Sequence, residues 1–162
     1  MKEIPLTQGK VTIVDEENFE KLSKYKWCAL KKGANGKYGH TAVRNVLNKH
    51  TRKSDMILMH RLILNCPIGK QVDHINGDQL DNRKQNLRIC TPSQNQHNKP
   101  KNRNNTSGFK GVTWSKSCNK WQSAICVNGK MIFLGVFSEK IDAYYAYCEA
   151  SKKYHGDFSN VN

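Results

Sequence analysis

The chain reads as short runs of alternating apolar and polar residues, broken by turn chemistry. Ile4 opens a short strand, Gln8-Gly9 is a turn, and Val11-Thr12-Ile13-Val14 is a second strand. A short helix is expected from Asp15 to Tyr25, then a strand at Trp27-Cys28-Ala29-Leu30. Gly33-Ala34-Asn35-Gly36 has turn chemistry, and Tyr38 to Asn45 alternates as a strand. Met56 to Leu64 is apolar with His60-Arg61 inside it; a strand running into a helix fits, but so short a run has no decisive period. Between 70 and 99 the order is strand, loop, strand, helix. Gln71-Val72-Asp73-His74-Ile75 ends a strand, Asn76-Gly77-Asp78 turns, and Asp81-Asn82-Arg83 lies in a polar connection. Leu87-Arg88-Ile89-Cys90 is the second strand. Thr91 caps a helix with Pro92 in its first turn, and the helix stops before Pro100.

Residues 99–106 have no periodicity and no apolar side chain, and read as a basic linker. Three alternating runs follow: Phe109–Ser115, Lys120–Val127 and Lys130–Val136. Asn128-Gly129 between the last two is a strong hairpin signal. Ser138 is placed to cap a helix reaching about Tyr154 and ended by Gly156. The expected fold class is α+β, with a first module over 1–98, a linker over 99–106 and a second module over 107–162.

Composition sharpens this picture. The 162 residues hold 27 Lys plus Arg against 13 Asp plus Glu, a formal net charge of +14. No Asp or Glu occurs between Asn82 and Ser138, and a long stretch of one sign points to a polyanionic partner, most commonly nucleic acid. A mean hydropathy of −0.75 leaves apolar material for small cores only. No apolar run approaches the ~18 residues of a membrane span, and the N-terminus lacks a signal-peptide stretch, so no membrane association and a cytoplasmic location are expected. The six cysteines contain no Cys-x-x-Cys pair. They read as reduced, mostly buried small residues, with no structural zinc.

The chemistry concentrates at Asp73 and His74. Adjacent strand residues point to opposite sides, so one can hold a cation while the other reaches a water. A helix after the second strand can bring Asn95 or His97 back to the same place. Oxygen ligands from Asp and Asn suit magnesium or manganese, with water and phosphates completing the shell. Alone, His74 is an ordinary strand-end histidine.

The series Val72-Asp73-His74-Ile75-Asn76-Gly77-Asp78, Asp81-Asn82-Arg83, Asn86-Leu87-Arg88 and Ser93-Gln94-Asn95-Gln96-His97-Asn98 resembles the HNH homing endonucleases of phages and introns. The likeness continues upstream through Met59-His60-Arg61-Leu62 and Ile4-Pro5-Leu6-Thr7. The resemblance implies a ββα-metal core over about 70–98 and one divalent cation, Mg²⁺ or Mn²⁺. It makes His74 the general base and Asn86 the residue that holds the loop and positions the base. Asp73 and Asn95 become the metal ligands. His60 and Arg61 either cap local structure or contact the scissile phosphate. His97 touches metal or phosphate, or faces solvent. Asp81 and Asn82 are expected to stabilise the loop, and His40, His50 and His155 to lie on the surface.

A second resemblance begins at Ser107-Gly108-Phe109-Lys110-Gly111-Val112. It continues through Lys120-Trp121, Ala124-Ile125, Phe133-Leu134-Gly135-Val136-Phe137, Ala143, Ala146-Tyr147 and Ala150. This stretch resembles the Apetala-two DNA-binding domain, which implies a small three-stranded antiparallel sheet packed on one helix, with its open face against duplex DNA. The family's strand arginines are missing: the matching positions hold Lys110, Thr113, Ser115, Ala124, Cys126 and Met131. Trp114 and Trp121 fit either face. Arg88, Lys99, Lys101, Arg103, Lys110, Lys116, Lys120 and Lys130 are the expected DNA contacts, mostly to phosphate. Together the two resemblances imply a metal-dependent endonuclease cutting double-stranded DNA at a recognised site. One site per chain favours a monomer. The alternative is a non-catalytic DNA-binding transcriptional regulator.

Overall fold

A computed structural model describes residues 1–33, 39–48 and 52–161. Residues 34–36 of the expected turn, Tyr38 and His50 lie outside the described residues. Helix and strand are mixed, and the chain divides into two units, Met1–Pro92 and Ser93–Asn162. The residues read as a linker, 99–106, therefore lie inside the second unit. The reason is local. The Lys110 ammonium donates to the carbonyl oxygens of His97, Lys99 and Asn160 at 2.8, 2.7 and 2.9 Å. The Asn160 amide donates to the Asn98 carbonyl at 2.7 Å.

In the first unit β1 (Lys2–Pro5) and β2 (Val11–Val14) form an antiparallel hairpin. Its turn needs left-handed backbone at two successive residues, met by Gln8 and Gly9 with φ of 64° and 63°. After α1 (Glu16–Ser23), strands β3 (Cys28–Lys31), β4 (His40–Leu47) and β5 (Ser54–Leu58) make an antiparallel sheet in that order. The ambiguous apolar run resolves here: β5 passes directly into α2 (Met59–Ile63). Last come β6 (Gln71–His74) and β7 (Leu87–Cys90), paired antiparallel with Asp73 opposite Arg88 and His74 opposite Leu87. One core joins these pieces: Ile4, Val14, Leu22, Trp27, Ala42, Met59, Val72 and Leu87 are all buried in it. The Trp27 indole N–H, too costly to bury unpaired, donates to the Leu22 carbonyl at 2.9 Å. Val72 and Leu87 anchor β6 and β7 to that core, which fixes the strand carrying Asp73 and His74.

The second unit starts with α3 (Pro92–His97), whose first residue precedes the division. Strands β8 (Val112–Ser115), β9 (Lys120–Val127) and β10 (Lys130–Phe137) form an antiparallel sheet with β9 central, and α4 (Lys140–His155) packs on it. Asn128 and Gly129 have φ of 50° and 78°, the paired left-handed residues of a tight hairpin turn. Helix α4 begins at Lys140, and Ser138 is not its cap: Glu139 holds that position without a side-chain cap bond. The Tyr147 ring lies directly on Gly111, where a Cβ would collide with it. Trp114 pairs with Trp121 across the strands, ring centroids 5.0 Å apart, and the Lys140 ammonium lies 5.5 Å from the Trp121 ring. Both tryptophans therefore belong to the helix-covered face.

All six cysteines are free thiols. Only Cys90 is buried, and Cys28, Cys118 and Cys126 are exposed, so burial does not explain most of them. Among the described residues no helix is long and apolar enough to cross a membrane.

Candidate active site

Strand parity sorts the two central side chains. His74 shares the core-facing side of β6 with Val72, and Asp73 points the other way. Asp73 is 5% exposed and ion-paired across the ladder to Arg88, with Oδ2 at 2.8 Å from Nε and 2.7 Å from Nη2. The His74 ring is buried, and its Nε2 lies 3.3 Å from Oδ1 of Asn82. Burial pushes the imidazole below its ordinary pKa, partly countered by the Asn82 bond, so the ring is neutral at neutral pH.

Asn82 has no exposed surface at all. Its Nδ2 donates to Oγ1 of Thr12 at 2.7 Å, and that hydroxyl donates to the Leu80 carbonyl at 2.7 Å. Backbone bonds close the same seam: Ile13 N–H to the Leu80 carbonyl at 2.9 Å, and Asn82 N–H to the Ile13 carbonyl at 2.8 Å. The loop between β6 and β7 is thus stitched to the N-terminal hairpin. The connection read as polar is buried at Asp81 and Asn82, and both side chains are bonded within it.

Asn86 closes the loop from within. Its Oδ1 accepts from the Asn76 N–H at 3.0 Å, and its Nδ2 donates to the Asp81 carbonyl at 2.8 Å. Asp81 accepts from Arg83 Nε at 2.7 Å and from Asn76 Nδ2 at 3.0 Å. The Arg83 bond is the main reason its carboxyl lies below the usual range. These bonds among Asn76, Asp81, Arg83 and Asn86 hold the loop in one conformation.

His60 on α2 is buried with its ring edge-on to His74, centroids 5.1 Å apart and planes at 87°. Its Nδ1 has no hydrogen-bond partner among the described residues. Burial, helped by the neighbouring His74, lowers its pKa to about 3. Arg61 is committed locally: Nη1 donates to the Lys70 carbonyl at 2.7 Å, and Nη2 to the Cys66 and Pro67 carbonyls at 3.1 and 3.0 Å. Of the two readings open for Arg61, the structure shows the capping one.

Asn95 and His97 belong to the second unit. The His97 ring stacks on His155, centroids 3.6 Å apart, and burial lowers its pKa. His155 is part-buried rather than a plain surface residue, with Nε2 at 3.0 Å from the Cys126 carbonyl. Lys110 is occupied by its three carbonyls, a structural clamp where a phosphate contact was expected. Lys99, Lys101, Arg103, Lys116, Lys120 and Lys130 are exposed.

Sequence reasoning missed Asn82 and Thr12 as the partners that hold the histidine. The only signal was a polar Thr12 in the middle of an apolar strand, which names no partner. No cluster of three or more His, Cys, Asp or Glu side chains among the described residues could hold a metal. A cation here would rest on the single carboxylate of Asp73, with amide, water or phosphate oxygens for the rest. A magnesium-type ion accepts that donor chemistry, because it keeps most of its own water.

A buried imidazole, an adjacent carboxylate and a loop pinned by asparagine amides thus meet on one hairpin. The comparisons bear on the same stretch. Residues 65–97 match the HNH endonuclease family. "Protein 3.8" of Escherichia phage T7 is 39% identical over 64 residues, covering 40% of this chain and 53% of that protein. "Uncharacterized HNH endonuclease L560" of Acanthamoeba polyphaga mimivirus is 30% identical over 122 residues, 75% of this chain and 58% of that protein. The chain thus spans a little over half the length of these curated relatives. No solved structure matches it.

Proposed function

We propose that this protein is a divalent-metal-dependent DNA endonuclease that hydrolyses phosphodiester bonds at a recognised site in duplex DNA. In this reading it is a homing enzyme of phage or intron origin, working in the host cytoplasm. One observation carries the reading most: within the matched stretch 65–97, His74 is buried, neutral and held at one nitrogen by Asn82, next to a carboxylate on the opposite face of the strand.

His74 takes the proton from the attacking water. Asn82 fixes the ring from behind, and Thr12 fixes Asn82. Asn86 keeps the loop closed, and so keeps the base in place. His60 packs against the base ring and limits its rotation. Asp73 and Asn95 are the proposed metal ligands, and a bound Mg²⁺ or Mn²⁺ would supply charge neutralisation at the phosphate and the leaving oxygen. Arg88 orients the Asp73 carboxylate and adds positive charge beside it.

The second unit is proposed as an Apetala-two-type DNA-binding module. Its three-stranded sheet, its covering helix with buried Ala143 and Ala150, and the Tyr147–Gly111 contact support that. The exposed lysines and Arg103 would hold phosphates and set register without reading sequence. Linking two weak DNA binders in one chain raises the affinity of both for a long site.

A supercoiled plasmid carrying phage or host target DNA tests this, with wild type and His74→Ala each run with magnesium and with chelator. Nicked or linear product from wild type plus magnesium alone is expected. A nick is the expected product of one site in a monomer. Tight binding to a confirmed target without any metal-dependent cut would instead favour the regulator reading.

A further inference from the structure

The sheet of the second unit has one open face. Ser123 and Ile125 of β9 point into the helix-side core, so Gln122, Ala124 and Cys126 point out. Register adds Thr113 from β8, opposite Gln122. It also adds Met131, Phe133 and Val136 from β10, opposite Cys126, Ala124 and Gln122. A bulge at Leu134 shifts the alternation along β10, so that Val136 as well as Phe133 faces outward. Of the outward residues only Lys120, at the start of β9 opposite Ser115, is charged. Met131, Phe133 and Val136 are 68%, 62% and 45% exposed.

Apart from Lys120 at one end, charge lies around this face. Lys116, Lys120 and Lys130 stand at the strand ends, and all three are exposed. At one side a shallow hollow is lined by Lys101, Asn102, Asn104, Thr113, Ala124 and Met131. The four acids of the unit, Glu139, Asp142, Glu149 and Asp157, all follow the sheet in sequence. Three of them flank or ride the helix on the opposite face. An apolar face meant for another protein has no need of an acid-free basic rim, whereas a duplex supplies phosphates at the spacing of a groove's edges.

We infer that this face reads A·T base pairs in the major groove, Phe133, Met131 and Ala124 packing on thymine methyl groups and the Gln122 amide pairing with adenine. The inference rests on the reading of the chain as a duplex-DNA nuclease. A major groove admits a small β-ribbon, thymine alone among the four bases offers a methyl there, and glutamine matches the N6 and N7 of adenine. Guanine is read chiefly by arginine or lysine, and the centre of the open face, around Gln122, Ala124, Met131 and Phe133, has neither. The lysines hold phosphates on either side and carry no preference.

The full chain, kept in chelator, is used to select bound duplexes from a random library. The selected duplex is then remade with deoxyuridine for thymidine, which removes only the methyl groups. An A·T-rich segment is expected, with roughly fourfold weaker binding for each contacted methyl lost. In the Met131→Ala/Phe133→Ala variant the thymidine and deoxyuridine duplexes bind alike, while its melting temperature confirms that it folds. Lys130→Ala weakens both duplexes equally.

A G·C-rich segment, or equal binding of the two duplexes by wild type, overturns the inference. So does self-association of the chain that Phe133→Asp abolishes. If wild type still cuts plasmid while ignoring the methyls, the nuclease reading stands alone. If it binds no duplex at all, both fall.

Discussion

The two units use polar residues in opposite ways. In the first, the polar side chains around β6 and β7 are buried and bonded to one another: Asn82 to His74 and Thr12, Asn86 to both arms of the loop, Asp73 to Arg88. In the second, the charged side chains around the sheet stand in solvent, and the single well-bonded lysine, Lys110, serves the fold. Chemistry on one bond needs atoms held to a fraction of an ångström, and only a satisfied buried network does that. Attraction to a line of phosphates needs charge near a surface, and long mobile lysines provide it without ordering cost.

The largest test of that contrast is His74→Ala. Cleavage should fall about 10²- to 10⁴-fold with duplex affinity unchanged, read by plasmid nicking beside a binding titration. Loss of binding as well would mean that the two roles are not divided between the units. The next is Gly111→Ala. The new methyl meets the Tyr147 ring and sits at φ +74°, so the second unit should lose on the order of 2–3 kcal/mol. Calorimetry would show this as a lowered transition for that unit while the β6–β7 region keeps its hydrogen-exchange protection.

Asn82→Ala separates positioning from stability in the first unit. It removes the amide's bonds to the Thr12 hydroxyl and to His74, so about 1–3 kcal/mol of stability is lost and turnover drops about 10- to 100-fold by analogy with other orienting partners. A drop in kcat with KM unchanged identifies a positioning role, and an unchanged kcat would sink it.

His60 gives a pH signature. Unfolded, its ring binds a proton from about pH 6.5 downward; folded, only near about 3. Between those values the unfolded chain holds more protons, so stability falls as pH falls, by up to about 1.4 kcal/mol per pH unit. Thermal melts from pH 7 to pH 4 should show a shallower slope for His60→Leu, the remaining slope coming in part from His74, which is shifted in the same direction. The smallest effect is Lys130→Ala. It should reduce the salt dependence of duplex binding by about one counterion and leave the cleavage step alone.

Much of this molecule was readable along the chain. The Gln8-Gly9 and Asn128-Gly129 turns were visible because left-handed backbone restricts residue choice. The hairpins beside them followed from period-2 alternation, and Gly156 marked the end of α4. Asp73, His74 and Asn86 stood out because an Asp-His pair before an Asn-Gly turn, followed by a spaced Asn, is a multi-part pattern. The long acid-free stretch was equally plain.

Other features were settled by residues meeting far apart in sequence. The run at Met56–Leu64 became strand then helix because the core took Met59 and Ile63, which no local period encodes. Thr12 and Asn82 are 70 positions apart, so nothing in either segment announces that one holds the other. Lys110 looks like any basic residue until three carbonyls converge on it, and Arg61 likewise. The amino-acid sequence alone determined the strands, the turns, the sign of the charge and the place of the Asp73-His74 pair beside its turn, because these depend on local backbone preference and composition. The tertiary structure decided which polar groups are buried, what orients the histidine, and which basic side chains are spent on the fold, because a hydrogen bond's partner is a fact of space and not of sequence.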